Sequence, residues 1–521
     1  MSASREKQLR QELAASGALD PKIEQEKEQQ RKEKRSNMLY ITVAVVFLLA
    51  LVASIVWRSN IIGKNAEAVT IDDQKYTAAE VNFYYWNGYN NFLNNYSYLV
   101  SYMGLNSAAS LDSQVMNETA VGMLGAEEGS TWHDYFLEQA QQQMAVIQVA
   151  LKKAAEEGYT YTDAVQTQYD ATIESLNTTA AASGASLKTY LQNAYGPMMT
   201  EKVFTEQLMR VSQYTDYINS YYTGLEFTEA EIDAAYAADP NSFDRISYES
   251  VSVSGAAAST KDADGNTVEP TEEESAAALA AAKATAEKIL ADYKAGGDLE
   301  TLAKAAEGAN YSSNESSTYF SSDMGLWLFD ENRKQGDATV IESGTTYYVT
   351  VLNDRFRMED PTVDVRHILI ATEAGELTTE DEGYEAEQAQ LKADAKAAAD
   401  ALLAEWKAGE ATEESFAALA TANTTDPGSQ ATGGLYENVY PGQMVVEFND
   451  WCFDAARKTG DTGVVETSYG AHVMYFVGEN VPFWQYEVDS KLRGEAYNEW
   501  LTALPADCTI TTSDFGMGFV G

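Results

Sequence analysis

The feature that most constrains the fold is an internal repeat. A segment from Trp327 to Glu342, WLFDENRKQGDATVIE, recurs 124 residues later from Trp451 to Glu466 as WCFDAARKTGDTGVVE. Nine of the sixteen positions are identical, including the Trp, the Phe, the Arg-Lys pair and the Gly-Asp pair. A repeat at this spacing indicates two copies of one structural unit. The chain is therefore expected to contain two tandem modules of the same fold.

Each copy shows the same order of elements. It opens with a β-branched, apolar run, continues through Ala-rich helices and closes with a second such run, which predicts an α+β module of roughly 115 residues. Asp360-Pro361 marks the boundary between modules, predicted to span 241–357 and 361–480. The predicted strands are Ile246–Val253 and Tyr347–Leu352 in the first module, and Val363–Ile370 and His472–Val477 in the second.

A membrane span is predicted near the N-terminus. Residues 38–57 contain no charged side chain, and 20 residues at about 1.5 Å each cross a hydrocarbon core of roughly 30 Å. Four basic residues lie within seven positions before this run and only Arg58 and Lys64 follow it closely, so the positive-inside rule places a tail of residues 1–37 in the cytoplasm. The run is longer than the apolar part of a signal peptide and lacks a small-residue cleavage site. We expect a single-pass protein of the cell membrane, with most of the chain extracytoplasmic.

The charge balance limits the partners. The sequence holds 35 Lys and Arg against 80 Asp and Glu, and the part beyond residue 64 carries a net charge of −49. Such a surface repels phosphate backbones, so nucleic acid is not an expected partner. Cys452 and Cys508 form no metal-ligand spacing, and the sequence indicates neither a metal site nor a cofactor. Whether these two thiols pair stays open.

The remaining exported segments are predicted to be helical. Residues 58–240 are rich in Tyr, Ala, Gln and Leu and poor in Pro, which indicates a helical domain containing helices at Asp134–Glu156 and Glu201–Tyr222. Gln485–Ala503 forms another predicted helix. The C-terminal segment 481–521 is too short to bury its aromatic side chains alone and is expected to dock on the N-terminal helical domain.

The second module carries the side chains that could take part in catalysis or binding. Of the three histidines, His367 and His472 lie in its opening and closing strands, and the first module has none. If these strands are neighbours, the two imidazoles lie side by side, although a strand histidine is commonly structural. Met444 and Phe448 are four residues apart, which predicts one helical turn whose side chains either wall an apolar pocket or form a core pair.

Five motifs in order give the second module a family resemblance. It resembles the parvulin-type peptidyl-prolyl isomerases, and the layout of the whole exported part resembles the PrsA/SurA-type foldases, in which parvulin domains are attached to a helical chaperone region. The motifs are VRHILI at 365–370, SFAALA at 415–420, TTDPGSQATGGL at 424–435, PGQMVVEF at 441–448 and TSYGAHVMYF at 467–476.

The resemblance implies roles for eight residues. In the family, paired histidines and an Asp or Cys form the catalytic part of the site, and apolar residues grip the proline ring. Where the family commonly has Leu in the pocket lining, this chain has Tyr436. The implied site residues are His367, Asp426, Thr467 and His472 for catalysis, and Gln443, Met444, Phe448 and Tyr436 for substrate binding.

The expected function is that of an isomerase and foldase. The resemblance implies isomerisation of X-Pro bonds in unfolded exported polypeptides without a cofactor, while the first module, which lacks the histidines and the GQMVVEF stretch, is expected to be degenerate and catalytically silent. The alternative is a non-catalytic extracytoplasmic chaperone or scaffold that uses both modules only for binding. A hydrolase would need a Ser or Cys nucleophile in a recognisable motif, which is lacking here.

Overall fold

The chain folds into two compact units. The computed structural model describes residues 3–17 and 21–521, so residues 1, 2 and 18–20 of the predicted tail lie outside the described residues. One unit comprises Met1–Leu225 and Tyr497–Gly521, and the other comprises Glu226–Ala496. Helices dominate the first unit and two four-stranded sheets the second, which confirms the predicted α+β class. The exact domain boundaries given above stay predictions.

The N-terminal part of the first unit is almost entirely helical. The predicted helices at 134–156 and 201–222 are confirmed as α6 and α9. The helices are α1 Ala3–Ala15, α2 Pro21–Arg58, α3 Ile61–Asn65, α4 Ala78–Asn95, α5 Glu118–Leu124, α6 Trp132–Glu156, α7 Asp163–Ala182, α8 Leu187–Tyr195 and α9 Glu201–Gly224, and the strands are β1 Glu67–Ile71 and β2 Gln74–Thr77.

Helix α2 contains the predicted span. Its stretch Met38–Val56 has a mean hydropathy of 2.8 and is not buried by any other part of the described chain. Among the described residues, this is the one helix that is long and apolar enough to cross a bilayer.

The core of the first unit is built from aromatic side chains on α4 and α6. Capping boxes fix where both helices begin, with Thr77 and Glu80 at α4 and Thr131 and Asp134 at α6. Trp132 is completely buried in this core.

The second unit begins with α10 and the first module. The elements are α10 Glu229–Ala238, β3 Arg245–Ser254, β4 Thr260–Lys261, β5 Thr267–Val268, α11 Glu272–Lys294, α12 Leu299–Ala305, β6 Ala309–Ser317, α13 Asp323–Leu328, β7 Ala338–Ser343 and β8 Thr346–Phe356. The second module and the helix after it follow as β9 Pro361–Ala371, α14 Tyr384–Ala408, α15 Glu413–Asn423, β10 Leu435–Val439, α16 Val446–Cys452, β11 Thr462–Thr467, β12 Gly470–Pro482 and α17 Phe483–Ala503.

The two modules share one sheet topology. The strand order is β6-β3-β8-β7 in the first and β10-β9-β12-β11 in the second, and all neighbouring strands are antiparallel. In each module, the opening and closing strands are the two central strands. The repeat in the sequence therefore corresponds to a repeat in the fold.

The second sheet is covered on both faces. Because side chains alternate along a strand, Ile368 and Val473 pack with Phe416 and Trp406 of α15 and α14 on one face. The other face is lined by Val365, Met474 and Phe476 and is covered in part by α16. His367 and His472 lie on this second face.

The C-terminal segment divides between the two units. In the second unit, Trp484 and Val488 of α17 pack against Phe243. In the first unit, Trp500 stacks on Tyr221 at a centroid distance of 3.8 Å. The chain then forms β13 Ile510–Thr512, which pairs with β1, and α18 Asp514–Met517.

Candidate functional site

The register of the two central strands brings the histidines together. Met474 is the cross-strand partner of His367, and Leu369 is the partner of His472, so the two histidines are diagonal neighbours on one face of the sheet. Their ring centroids are 5.3 Å apart, and Nδ1 of His367 lies 3.0 Å from Nδ1 of His472. Both side chains are buried, with exposures of 3% and 5%.

Hydrogen bonds connect four side chains in series through this pair. The Thr467 hydroxyl lies 2.9 Å from Nε2 of His472. At the other end, Nε2 of His367 lies 2.9 Å from Oδ2 of Asp426. The structure thus connects all four residues that the resemblance implies for catalysis.

Burial keeps both imidazoles neutral. It lowers the pKa of His472 from its usual 6.5 to about 4, and the neighbouring His367 acts in the same direction. Burial also lowers the pKa of His367, and this effect outweighs the opposing effect of its hydrogen bond to the Asp426 carboxylate. Burial alone would raise the pKa of Asp426, but hydrogen bonds from Ser429, the Gly428 backbone, Tyr436 and His367 outweigh it and lower the pKa to about 2. The site therefore holds one carboxylate and two neutral rings at neutral pH.

These protonation states fix the direction of the hydrogen bonds. A carboxylate only accepts, so Nε2–H of His367 donates to Asp426 and its Nδ1 must accept. His472 then donates from Nδ1 to His367 and accepts the Thr467 hydroxyl proton at Nε2. The donor sequence runs in one direction, from Thr467 through both rings to Asp426.

The loop between α15 and β10 holds the Asp426 carboxylate. The Gly428 N–H donates to Oδ1, while the Ser429 hydroxyl at 2.5 Å and the Tyr436 hydroxyl at 2.9 Å donate to Oδ2. Ser429 also lies 3.0 Å from Nε2 of His367. Sequence reasoning missed Ser429, although it stands three residues after Asp426 in the TTDPGSQATGGL motif.

Ser429 does not turn the site into a hydrolase. Its side chain is completely buried, and its hydroxyl donates to Asp426. A serine nucleophile must reach the substrate and give its proton to the histidine. Here the His367 Nε2 is itself a donor, so the arrangement lacks a general base for Ser429.

Apolar side chains form a cavity beside the imidazoles. The cavity has a volume of about 300 Å³ and is walled by Met444, Val445 and Phe448. The Phe448 ring stands edge-on to both imidazoles, with centroid distances of 5.6 Å to His367 and 5.5 Å to His472. Gln443 lies at the exposed rim, where its side chain accepts a hydrogen bond from the Tyr440 N–H.

The predicted helical turn at Met444 and Phe448 was wrong. Helix α16 begins at Val446, so Phe448 is helical, but Met444 lies in the turn before it. Gly442 has a φ of 86°, and Val445 is extended, which prevents the helix from continuing backwards. Both side chains nevertheless line the same cavity.

Tyr436 forms one side of the cavity. Its ring stacks on His367 at a centroid distance of 5.0 Å, and its hydroxyl holds Asp426. The sequence placed Tyr436 at a lining position but gave no indication of this hydrogen bond. Hydrogen bonding to the carboxylate and burial raise its own pKa to about 12, with burial as the larger cause.

The first module has a different cavity at the equivalent place. Tyr348 occupies the position of His472, because its cross-strand partners Ser252 and Ile341 correspond to Leu369 and Val465, the partners of His472. By the same register, Ser250 occupies the position of His367. A cavity of about 430 Å³ is lined by Ser250, Ser252, Ile341 and Tyr348, together with the α13 residue Met324. The fold is retained, but the imidazole pair is replaced by hydroxyl groups.

Two adjoining antiparallel strands that place hydrogen-bonded imidazoles beside an apolar cavity define the second module as a parvulin-type domain, the class that the motifs indicated. Residues 347–479 match the family model described as the PPIC-type PPIASE domain, which confirms the resemblance. The predicted site roles stay predictions.

Comparison with known proteins extends the likeness to chaperones. The chaperone SurA of Alkalilimnicola ehrlichii is 30% identical over 149 residues, which are 28% of this chain and 30% of that protein. The match thus covers less than a third of that relative. Among solved structures, PrsA from Bacillus subtilis is 14% identical with a TM-score of 0.29, covering 76% of this chain and 93% of that one. The peptidylprolyl isomerase PrsA from Bacillus anthracis is 13% identical with a TM-score of 0.18, covering 73% and 92%.

Proposed function

We propose that the chain is a peptidyl-prolyl cis-trans isomerase and foldase that acts on unfolded exported polypeptides. The observation that carries this proposal is the hydrogen-bonded pair of His367 and His472 beside the cavity of Met444 and Phe448. The PPIC-type match supports the reaction class, and the likeness to SurA supports a chaperone role.

The reaction requires rotation about a bond rather than its cleavage. The barrier of about 18–20 kcal/mol arises from amide resonance, which gives the planar forms a partly negative oxygen and a partly positive nitrogen. The twisted amide has lost this charge separation. A catalyst must therefore meet two requirements: it must hold the proline ring while the preceding carbonyl rotates, and it must bind the twisted form better than either planar form.

The cavity meets the first requirement by holding the proline ring. A pyrrolidine ring between Met444 and Phe448 is buried from water, while the residue before it stays free to rotate. A surrounding that is poor in water also favours the less polar twisted amide over the charge-separated planar amide.

The charged end of the site meets the second requirement. Asp426, whose pKa is lowered to about 2, places a permanent negative charge beside the cavity. This charge disfavours the negative oxygen of the planar amide and so reduces its resonance stabilisation. His367 helps to hold the carboxylate in position, and the two neutral imidazoles contribute no competing positive charge. No covalent intermediate is required.

The location of the reaction follows from α2. Met38–Val56 would anchor the protein in the cell membrane with residues 1–37 in the cytoplasm, because the basic residues precede the span. The helical unit and both modules would then meet clients outside the cell. X-Pro bonds without phosphate are the proposed targets.

The first module would not isomerise X-Pro bonds. Ser250 and Tyr348 take the positions of the two histidines, and the GQMVVEF segment has no counterpart. We assign it a scaffolding or client-binding role.

A protease-coupled isomerisation assay on the full chain in detergent tests the proposal. We expect Met444→Ala to lower kcat/KM about tenfold, because removing the thioether loses roughly 1.4 kcal/mol of contact with the ring. His472→Ala should lower kcat/KM further, since it removes the hydrogen bond that orients His367, the ring that donates to Asp426.

The matched control lies in the first module. Tyr348→Ala changes the position equivalent to His472, and Ile341→Ala removes an apolar side chain that lines the cavity of the first module. Both variants should leave kcat/KM unchanged. Absence of activity in the intact chain would instead favour a non-catalytic scaffold.

A further inference from the structure

The short helix α3, which follows the apolar helix α2, packs closely against the helical unit. Helix α2 ends at Arg58, and α3 begins three residues later at Ile61. Gly63 of α3 fits so closely that a Cβ there would lie 2.6 Å from Sδ of Met198 and 2.9 Å from the Phe519 ring. The span is therefore connected to the unit by packed structure.

An apolar cavity opens at this junction. It has a volume of about 190 Å³, and its lining includes Val56, Ile62 and Phe515. Three large apolar side chains remain exposed around it: Phe515 by 64%, Ile61 by 53% and Ile62 by 46%. We call Ile61, Ile62 and Phe515 the juxtamembrane patch.

We propose that the juxtamembrane patch inserts into the outer lipid interface of the bilayer, so that the helical unit is seated on the membrane surface. This inference rests on the proposed membrane anchor. The inference goes beyond anchoring because it assigns lipid contact to residues outside the span. One of them, Phe515, lies more than 450 positions after the span in the sequence.

The depth of Phe515 follows from the cavity that it shares with the end of α2. Val56 is the last residue of the apolar stretch and lines the same cavity as Phe515. A stretch of 19 residues at 1.5 Å per residue matches the hydrocarbon thickness, so Val56 lies at its outer edge. Phe515 must then lie at nearly the same level, where aromatic side chains are favoured.

The charge of the chain offers no electrostatic attraction to an anionic membrane surface. The part beyond residue 64 carries a net charge of −49, which anionic lipids repel. Arg58 and Lys64 flank the junction, but the Lys64 ammonium is engaged with the Ser59 carbonyl at 3.1 Å. Burial of apolar side chains in lipid supplies an attraction that does not depend on charge.

Spin-label accessibility on the full chain in lipid nanodiscs tests this proposal. Phe515→Cys and Ile62→Cys are labelled with a nitroxide in a Cys508→Ala background, since Cys452 is buried. Collision rates are measured with oxygen, which partitions into lipid, and with a water-soluble nickel complex. Leu48→Cys in the span gives the lipid reference, and Glu128→Cys, at an exposed acidic position, gives the water reference.

We expect the oxygen-to-nickel ratios at Phe515 and Ile62 to lie nearer to that of Leu48 than to that of Glu128. Ratios equal to that of Glu128 would overturn the proposal. Discs that hold one chain exclude a second copy, so protection from nickel that appears only in discs with two chains would also overturn it. If the anchor itself were wrong, the Leu48 label would contact water, which is a different outcome.

Discussion

His472→Phe should remove a pH dependence from the stability of the second module. Burial lowers the pKa of His472 from 6.5 to about 4, while Tyr348 takes the equivalent place in the first module. The titratable groups that face this imidazole are His367 and Asp426. The unfolded state therefore binds more protons than the folded state between pH 6.5 and 4, and stability falls as the pH drops through this window.

The magnitude follows from the shift. The difference between 6.5 and about 4 corresponds to about 3 kcal/mol when fully expressed, of which about 2 kcal/mol is lost between pH 7 and pH 5. His472 is only 5% exposed, so solvent screening takes little from this figure. The phenyl ring of His472→Phe cannot titrate, so the stability of the variant should lose this part of its pH dependence.

Hydrogen exchange with mass spectrometry measures the effect locally. The free energy of opening of β12 should fall between pH 7 and pH 5 by about 2 kcal/mol more in the parent chain than in His472→Phe. Strand β8 provides the control, because it carries Tyr348 and should respond equally in both proteins. Equal pH dependence of β12 in parent and variant would refute the assignment of a neutral, buried His472.

Three further predictions test other parts of the structure. Thr350→Val should raise the free energy of unfolding by about 1 kcal/mol, because the buried hydroxyl finds no partner among the residues that the structure describes; denaturant titration would show a loss instead if that hydroxyl were bonded. Gly434→Ala should lower the free energy of unfolding by about 3 kcal/mol, because φ is +76° and the new Cβ would collide with the His367 carbonyl. Gly442→Ala, at a φ of +86° in open space, should lower it clearly less. Equal losses of stability in thermal unfolding would contradict the collision. Tyr436→Phe should raise the pKa of Asp426 above about 2, as measured by carboxyl-carbon NMR, and an unchanged value would show that this hydroxyl does not stabilise the carboxylate.

The sequence predicted those parts of the site that depend on strand pattern. His367 and His472 stand in strands that open and close one module, and the alternation of side chains places them on one face. The first module provided the contrast, since it repeats the fold without the histidines. Neither inference needs the conformation of a loop.

The parts that were missed depend on loop conformation. Ser429 reaches His367 only because the loop folds back on Asp426, and hydrogen bonds between side chains in such a loop leave no periodic signal. The turn before α16 replaces the predicted helical turn because Pro441-Gly442 is a turn signal, and the four-residue spacing of Met444 and Phe448 does not overcome it. The role of the Tyr436 hydroxyl likewise depends on a distance that residue identity does not give.

The most direct test of the account is where an X-Pro peptide binds. Methionine methyl NMR on the full chain in detergent can follow Met444 in the second module and Met324 in the matching cavity of the first. The account predicts that an X-Pro peptide shifts the Met444 methyl signal, leaves that of Met324 in place and shows accelerated cis-trans exchange of its own signals. A shift at Met324 alone, or accelerated exchange that persists in Met444→Ala with His472→Ala, would contradict it.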